Sequence, residues 1–247
     1  MRLAVLTDLH ANREAVAACL AHAERSKAER YAFLGDLVGY GADPGWVIDT
    51  VKTYVERGAI TVMGNHDAAV VHGPRETMNP DAQKVIVWTR ARVSAEQIDF
   101  LAGMPLQAED GEWLFVHANA WAPERWEYIY TALAARSSMA ATHCRYTFCG
   151  HVHEPALYNV GTDGRPSGFK PVAGIGIPLG TQRRWLAIPG SVGQPRDGIP
   201  AACYALFDTA ASTLTFFRVP YDFDSAARKI REAGLPKRFV VLLEEGR

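Results

Sequence analysis

Seven side chains able to hold a metal ion stand where the apolar pattern of this 247-residue chain breaks. Asp8 and His10 follow the apolar run Leu3–Leu6, Asp36 follows Tyr31–Leu34, and Asn65 follows Ala59–Met63, with His66 and Asp67 directly behind it. His117 closes the run from Trp113 to Val116, and His151 and His153 follow the run from Tyr146 to Cys149. In open α/β sheets the carboxyl ends of the strands gather at one edge, so five separate segments deliver Asp, Asn and His to one place. Asp8 and His10 are two residues apart, as are His151 and His153, and an extended segment points such residues to one face. Oxygen and nitrogen donors without sulfur suit Mn, Fe or Zn. Seven donors are too many for one tetrahedral ion and suit two divalent ions sharing a carboxylate. Two ions held roughly 3.5–4 Å apart clamp the attacking and leaving oxygens of an in-line displacement at phosphorus, and they supply a hydroxide near neutral pH. No Ser-His-Asp arrangement or Walker loop competes, and Gly174, Gly176 and Gly180 match no phosphate-loop spacing.

The elements that must position these groups are legible around them. Leu3–Leu6 reads as a strand covered on both faces. Asn12 caps a helix with an inward stripe of Val16, Cys19, Leu20 and Ala23. After the strand Tyr31–Leu34, Asp43-Pro44 opens a helix that turns Val47, Ile48, Val51, Tyr54 and Val55 inward and stops near Gly58. Ala59–Met63 completes a βαβαβ start, which implies a mostly parallel sheet with right-handed crossovers. Residues 80–101 are helical, opened by Asn79-Pro80 and reopened by the capping box Ser94/Gln97. Trp113–Val116 and Tyr146–Cys149 are strands, with a helix from Thr131 to about His143 between them. Residues 161–180, rich in Gly and Pro, read as an irregular excursion or loose hairpin. Trp185–Ile188, Cys203–Phe207 and Leu214–Val219 read as strands with the short turns of antiparallel pairing. Asp224 is the expected cap of a last helix, ended by Gly234 and Pro236. One domain over residues 1–247, containing two sheets, is expected.

Composition narrows the partners. There are 26 Lys+Arg against 27 Asp+Glu, and a hydrophobic fraction of 48% excludes general disorder. A formal net charge of −1 argues against duplex nucleic acid or an anionic membrane as a bulk partner. The N-terminal apolar run is too short for a secretory signal, and no stretch approaches the roughly 18 apolar residues of a membrane span. Four cysteines without CxxC spacing read as reduced, buried thiols of a cytoplasmic protein.

Asp8-Leu9-His10, Gly35-Asp36, Gly64-Asn65-His66-Asp67, His117 and Gly150-His151-Val152-His153, in that order, resemble the calcineurin-like metallophosphoesterases over residues 1–195. The resemblance implies an α/β fold of four layers, α/β/β/α, with two mixed β-sheets flanked by helices. It implies that Asp8, His10, Asp36 and His153 hold one ion, that Asp36, Asn65, His117 and His151 hold the other, and that Asp36 bridges them. His66 would contact phosphate and protonate the leaving oxygen, with Asn65 and His66 stabilising the developing charge. The protein Ser/Thr phosphatase branch carries G-D-x-x-D-R-G, whereas this chain has Gly39 and Tyr40 at the Asp and Arg positions. That argues against a protein phosphatase and leaves the group that orients His66 open.

The same stretch, with Pro189-Gly190-Ser191-Val192-Gly193-Gln194-Pro195-Arg196-Asp197, resembles a bacterial subgroup of small phosphodiesterases and dinucleoside-polyphosphate hydrolases. On that reading Arg196 binds phosphate, since a guanidinium forks onto two oxygens; the plain alternative is an exposed Arg paired with Asp197. Tyr40 is a substrate contact or loop packing. The expected substrate is a small phosphorylated molecule of nucleotide type. A phosphodiesterase is favoured over a dinucleoside-polyphosphate hydrolase or a phosphomonoesterase. A catalytically silent metal-binding scaffold ranks below these, because His66 and all seven donors are present. Asp67 is expected to cap a helix rather than assist catalysis. Trp121, Trp126 and Tyr128 are expected to pack rather than stack a base, and Cys149 to act as a small buried hydrophobe.

Overall fold

The computed structural model describes residues 1–247. Its first sheet takes β1 (Arg2–Leu6), β2 (Arg30–Phe33) and β3 (Ile60–Thr61) with α1 (Arg13–Arg25) and α2 (Pro44–Glu56) as crossovers. Then follow α3 (Asn65–His72), α4 (Pro80–Arg90) and α5 (Ala95–Ala102). The second sheet begins with β4 (Gln107–Asp110) and β5 (Trp113–Val116), and α6 (Ala132–Ala140) leads into β6 (Tyr146–Phe148). After β7 (Ala156–Val160), β8 (Pro166–Phe169), β9 (Gly176–Pro178) and β10 (Arg184–Ile188) come β11 (Ala202–Asp208), β12 (Thr213–Val219), α7 (Phe223–Glu232) and α8 (Lys237–Glu245). The strand orders are β3-β2-β1-β11-β12-β9 and β4-β5-β6-β10-β7-β8. Both sheets are mixed: β1 pairs β2 in parallel and β11 antiparallel, while β10 pairs β6 in parallel and β7 antiparallel.

Alternation along the strands builds the layers. Leu3 and Val5 face Phe115, Phe148, Trp185 and Phe207 in a core between the sheets, whereas Ala4 and Leu6 face Val16, Leu20, Val47 and Ile48 of α1 and α2. On the far side Leu186 and Ile188 pack on Ala135 and Met139 of α6. The result is helix, sheet, sheet, helix. Asn12 caps α1 as expected, accepting from the Ala15 N–H at 3.1 Å, and Ser94 and Gln97 cap α5 reciprocally.

Several expectations are corrected. The third strand shrinks to two residues, because the Met63 N–H turns to the Pro105 carbonyl and the chain leaves the sheet to enter α3. Parallel pairing is confined to β1, β2 and β3 in the first sheet and to β5, β6 and β10 in the second. Residues 161–180 are ordered rather than irregular: residues 161–169 turn back as the second arm of a hairpin, β8 against β7, and β9 then crosses to the first sheet against β12. β10 and β11 lie in different sheets, so only β11 and β12 form the expected antiparallel pair. β4 and β7 were not anticipated; β4 is half exposed and carries Gln, Glu and Asp, which mask a strand.

At the C-terminal end, α7 is not the last helix and its cap is Asp222, whose Oδ1 accepts from the Ser225 N–H at 3.0 Å; Asp224 already lies in the first turn. Asp222→Ala should therefore lower the urea midpoint of unfolding, while Asp224→Ala leaves it nearly unchanged; the opposite ranking would return the cap to Asp224.

Candidate metal centre

The strand ends do not present the site as extended segments. Asp8, His10, Asp36, His151 and His153 have φ of +54°, +48°, +50°, +68° and +66°, the left-handed region that non-glycine residues seldom occupy. Each turn is held by another. The N–H groups of Asp8 and His10 donate to the carbonyls of Gly35 and Asp36, the N–H of Gly193 donates to the Asp8 carbonyl, and that of Gly150 to the His117 carbonyl. The loops consequently approach too closely for side chains at two glycines. A Cβ on Gly64 would lie 2.2 Å from Asp36 Oδ1, and one on Gly150 would lie 1.9 Å from Thr7 Oγ1. These contacts explain why the motifs place glycine there.

All seven expected donors converge. His10 Nε2 and His153 Nε2 are 3.1 Å apart, with Asp8 Oδ1 3.2 Å from His153 Nε2 and Asp36 Oδ2 3.8 Å from His10 Nε2. Beside them, His117 Nε2 lies 3.1 Å from His151 Nδ1, 3.2 Å from Asn65 Oδ1 and 3.5 Å from Asp36 Oδ2. Asp36 Oδ2 thus faces both groups, while its Oδ1 accepts from the His66 N–H at 2.7 Å. Asp8 is tied down by Thr7 Oγ1 at 2.8 Å and by the His151 N–H.

The outer nitrogens fix the ring tautomers. The Nδ1–H groups of His10, His117 and His153 donate to the carbonyls of Val38 (3.1 Å), Leu34 (2.7 Å) and Gln194 (2.7 Å). A carbonyl only accepts, so each neutral ring turns the Nε2 lone pair inward. Lone pairs of His10 and His153 facing each other at 3.1 Å, beside two carboxylates, repel unless a cation lies among them. Separations of about 3 Å are also those of donors bound at about 2.1 Å at right angles around one ion. The residues therefore fit a metal at each cluster.

Electrostatics in the metal-free chain follow the same geometry. Burial raises the Asp8 and Asp36 carboxyls, but facing imidazoles (His153 for Asp8, His117 for Asp36) outweigh it and hold both well below the usual carboxylate range. Burial lowers His117, yet Asp36 outweighs it and pushes the ring up to about 9. Burial, with the charge on His117, pushes His151 down to about 3. Burial also lowers His10, His153 and His66. A proton on His117 thus places one positive charge beside Asp36.

His66, buried in the first turn of α3, meets the Tyr40 hydroxyl at Nε2 (3.0 Å), and its Nδ1 is enclosed against Gly39 without a partner. The orienting group that the sequence left open is therefore Tyr40 rather than an aspartate. Arg196 Nη2 donates to the Tyr40 hydroxyl at 3.4 Å and to Gln194 Oε1 at 3.3 Å. Arg196 does not close a turn with Asp197, which is buried against Arg218 and Lys170. Asp67 accepts from the N–H groups of Gly64, Leu37 and Val38, so it ties the start of α3 to the Asp36 loop; burial and the Asp36 charge push it up to about 7.

Trp126 is buried against His117, and Trp121 lies outside the cavity. Tyr128 stacks on His151 with ring centres 4.0 Å apart. Cys149 is buried, which pushes its thiol up. Sequence reasoning missed Arg75 and Arg125, which line the cavity above the donors; isolated arginines in loops carry no periodic or spacing signal.

The calcineurin-like phosphoesterase superfamily domain matches residues 1–212. The chain belongs to this superfamily. Calcineurin-like phosphoesterases are metal-dependent phosphoester hydrolases, and the clustered donors accord with that class. An uncharacterized protein of Methanocaldococcus jannaschii is 32% identical over 240 residues, which cover 95% of this chain and 94% of that one. The crystal structure of a metallophosphoesterase from Sphaerobacter thermophilus is 35% identical, covers 100% of this chain and 99% of its own, and aligns with a TM-score of 0.88. A hypothetical protein from Pyrococcus horikoshii, 18% identical, shares the fold at a TM-score of 0.80 with 100% and 98% coverage. No helix of this phosphoesterase is long and apolar enough to cross a membrane.

The shifts set the pH dependence of the metal-free phosphoesterase. His10, His66, His151 and His153 bind protons more readily unfolded, so stability falls as pH drops below 6.5. His117 binds its proton more tightly folded, so its contribution is lost as pH rises from 6.5 through about 9. Asp67, raised to about 7, also costs stability on ionising, and below 6.5 its opposing slope is outnumbered by four histidines. The melting temperature of chelator-treated protein should therefore peak near pH 6.5, read by calorimetry across buffers; a monotonic profile through that region would contradict the assignment.

Proposed function

We propose that the chain is a phosphodiesterase acting on a small nucleotide-type substrate with two divalent ions, Mn, Fe or Zn, as cofactors. Asp8, His10, Asp36 and His153 would hold one ion and Asp36, Asn65, His117 and His151 the other. Such ions polarise phosphoryl oxygens and lower the pKa of bound water. The observation that carries the reading is a cavity of about 290 Å³ whose floor holds Asp36, Asn65, His151 and His153 and whose wall holds His66, Tyr40 and Arg196.

His66 has one route for proton exchange. Its Nδ1 is enclosed, so a proton passes at Nε2, where the Tyr40 hydroxyl sits. Burial pushes the Tyr40 phenol up to about 12, so it stays protonated near neutral pH and can relay a proton between Nε2 and a leaving oxygen. Arg196 holds the same hydroxyl and turns a guanidinium toward the cavity, where it would bind two phosphate oxygens. Arg75 and Arg125 line the cavity as well, which suits an anionic substrate. The exposed Tyr128–Tyr130 stack, with ring centres 5.2 Å apart beside His151, offers a π-face at the rim that supports a nucleotide over a simple ester. The placement of His66 and Tyr40 favours turnover over a silent scaffold.

Purified protein with Mn²⁺ should hydrolyse bis-p-nitrophenyl phosphate, and chelation should abolish turnover. His66→Ala should lower kcat by roughly 10²- to 10⁴-fold with metal content unchanged by elemental analysis. Tyr40→Phe should lower kcat by about tenfold at similar KM, a loss of about 1.4 kcal/mol in transition-state stabilisation. A fully active His66→Ala protein would remove the acid assignment, and an unaffected Tyr40→Phe would remove the relay.

A further inference from the structure

A second cavity, of about 330 Å³, adjoins the first across a wall of Tyr40, Tyr128 and Arg196. Its far side is α8, through Arg238, Phe239 and Leu242, with Arg247 at the edge. Its charge is one-sided. Arg196, Arg238 and Arg247 line it and no acidic side chain does; across both cavities five arginines meet one acidic side chain, Asp36, which faces the metal donors. In a chain whose net charge is −1 this is a marked segregation. Arg231 and Arg247 are paired with Glu244 and Glu245, whereas Arg238 enters none of the ion pairs.

α8 is firmly placed. Phe239, Val240 and Leu243 pack on α7 and on Val85 of α4, and Phe239 lies 4.8 Å from the Tyr40 ring. The helix lies beyond residues 1–212, the part that matches the superfamily domain. A guanidinium left unpaired over a cavity without acidic side chains is suited to a phosphate group.

We infer that the second cavity is a binding site for a further phosphate on the substrate, held by Arg238 and reached past Tyr128 and Arg196. This rests on the nucleotide reading above and narrows it to molecules carrying two or more phosphates. Titration calorimetry of the Mn²⁺-loaded protein with AMP, ADP and ATP, excess Mn²⁺ being kept constant, tests it without relying on turnover. Affinity should rise with each phosphate, ATP binding at least about tenfold more tightly than AMP. Arg238→Ala should cut the ATP-to-AMP affinity ratio by at least about fivefold, and Arg238→Glu should cut it further, while Arg238→Lys keeps most of it. A flat series in the wild type, or an equal ratio in wild type and Arg238→Ala, overturns the inference. If bis-p-nitrophenyl phosphate is not hydrolysed but the Arg238-dependent ratio appears, the hydrolase proposal fails and the second site stands.

Discussion

The structure depends on the crowding of electron pairs around one oxygen, Asp36 Oδ2. It faces His10 Nε2 at 3.8 Å and His117 Nε2 at 3.5 Å, and the other donors lie around those two nitrogens. Three of the four donor imidazoles are held by backbone carbonyls at Nδ1, so each neutral ring presents its Nε2 lone pair inward and only a second proton can replace it. Such an arrangement is costly without positive charge. The raised His117 and the lowered His10, His151 and His153 are the metal-free chain's compromise: one proton taken up where the Asp36 field is strongest, the rest excluded.

That crowding explains features that otherwise look like defects. Five of the seven donor residues sit at positive φ, each costing on the order of 1–3 kcal/mol. The loops can hold such turns because they bond to one another rather than to solvent, and because Gly64 and Gly150 allow approach that any side chain would block. The cores on either side of both sheets then supply the rigidity that keeps the strained edge in register.

Much of this was legible in the sequence. The interruption of apolar strands by Asp, Asn and His marked the seven side chains that the fold brings together, and the caps at Asn12 and Ser94 and the stripe on α1 were readable because local hydrogen bonds and period-3.6 burial leave local signals. What failed was whatever depends on distant pairing. Extended geometry at Asp8–His10 and His151–His153 was the wrong warrant for a right outcome, since left-handed turns aim those side chains. The strands β8 and β9 within residues 161–180 gain their order from partners in different sheets. Tyr40 could not be assigned to His66 because their contact spans two loops, and the pairing of Asp197 with Arg218 and Lys170 rather than Arg196 has no sequence signature.

The central claim is that two ions share Asp36, and electron paramagnetic resonance of the protein loaded with two equivalents of Mn²⁺ tests it most directly. Ions bridged by one carboxylate should be exchange-coupled, giving a multiline spectrum with half the hyperfine spacing of an isolated ion, and Asp36→Asn should abolish the coupling. A six-line spectrum of uncoupled Mn²⁺ at full loading of the wild-type chain would contradict the account.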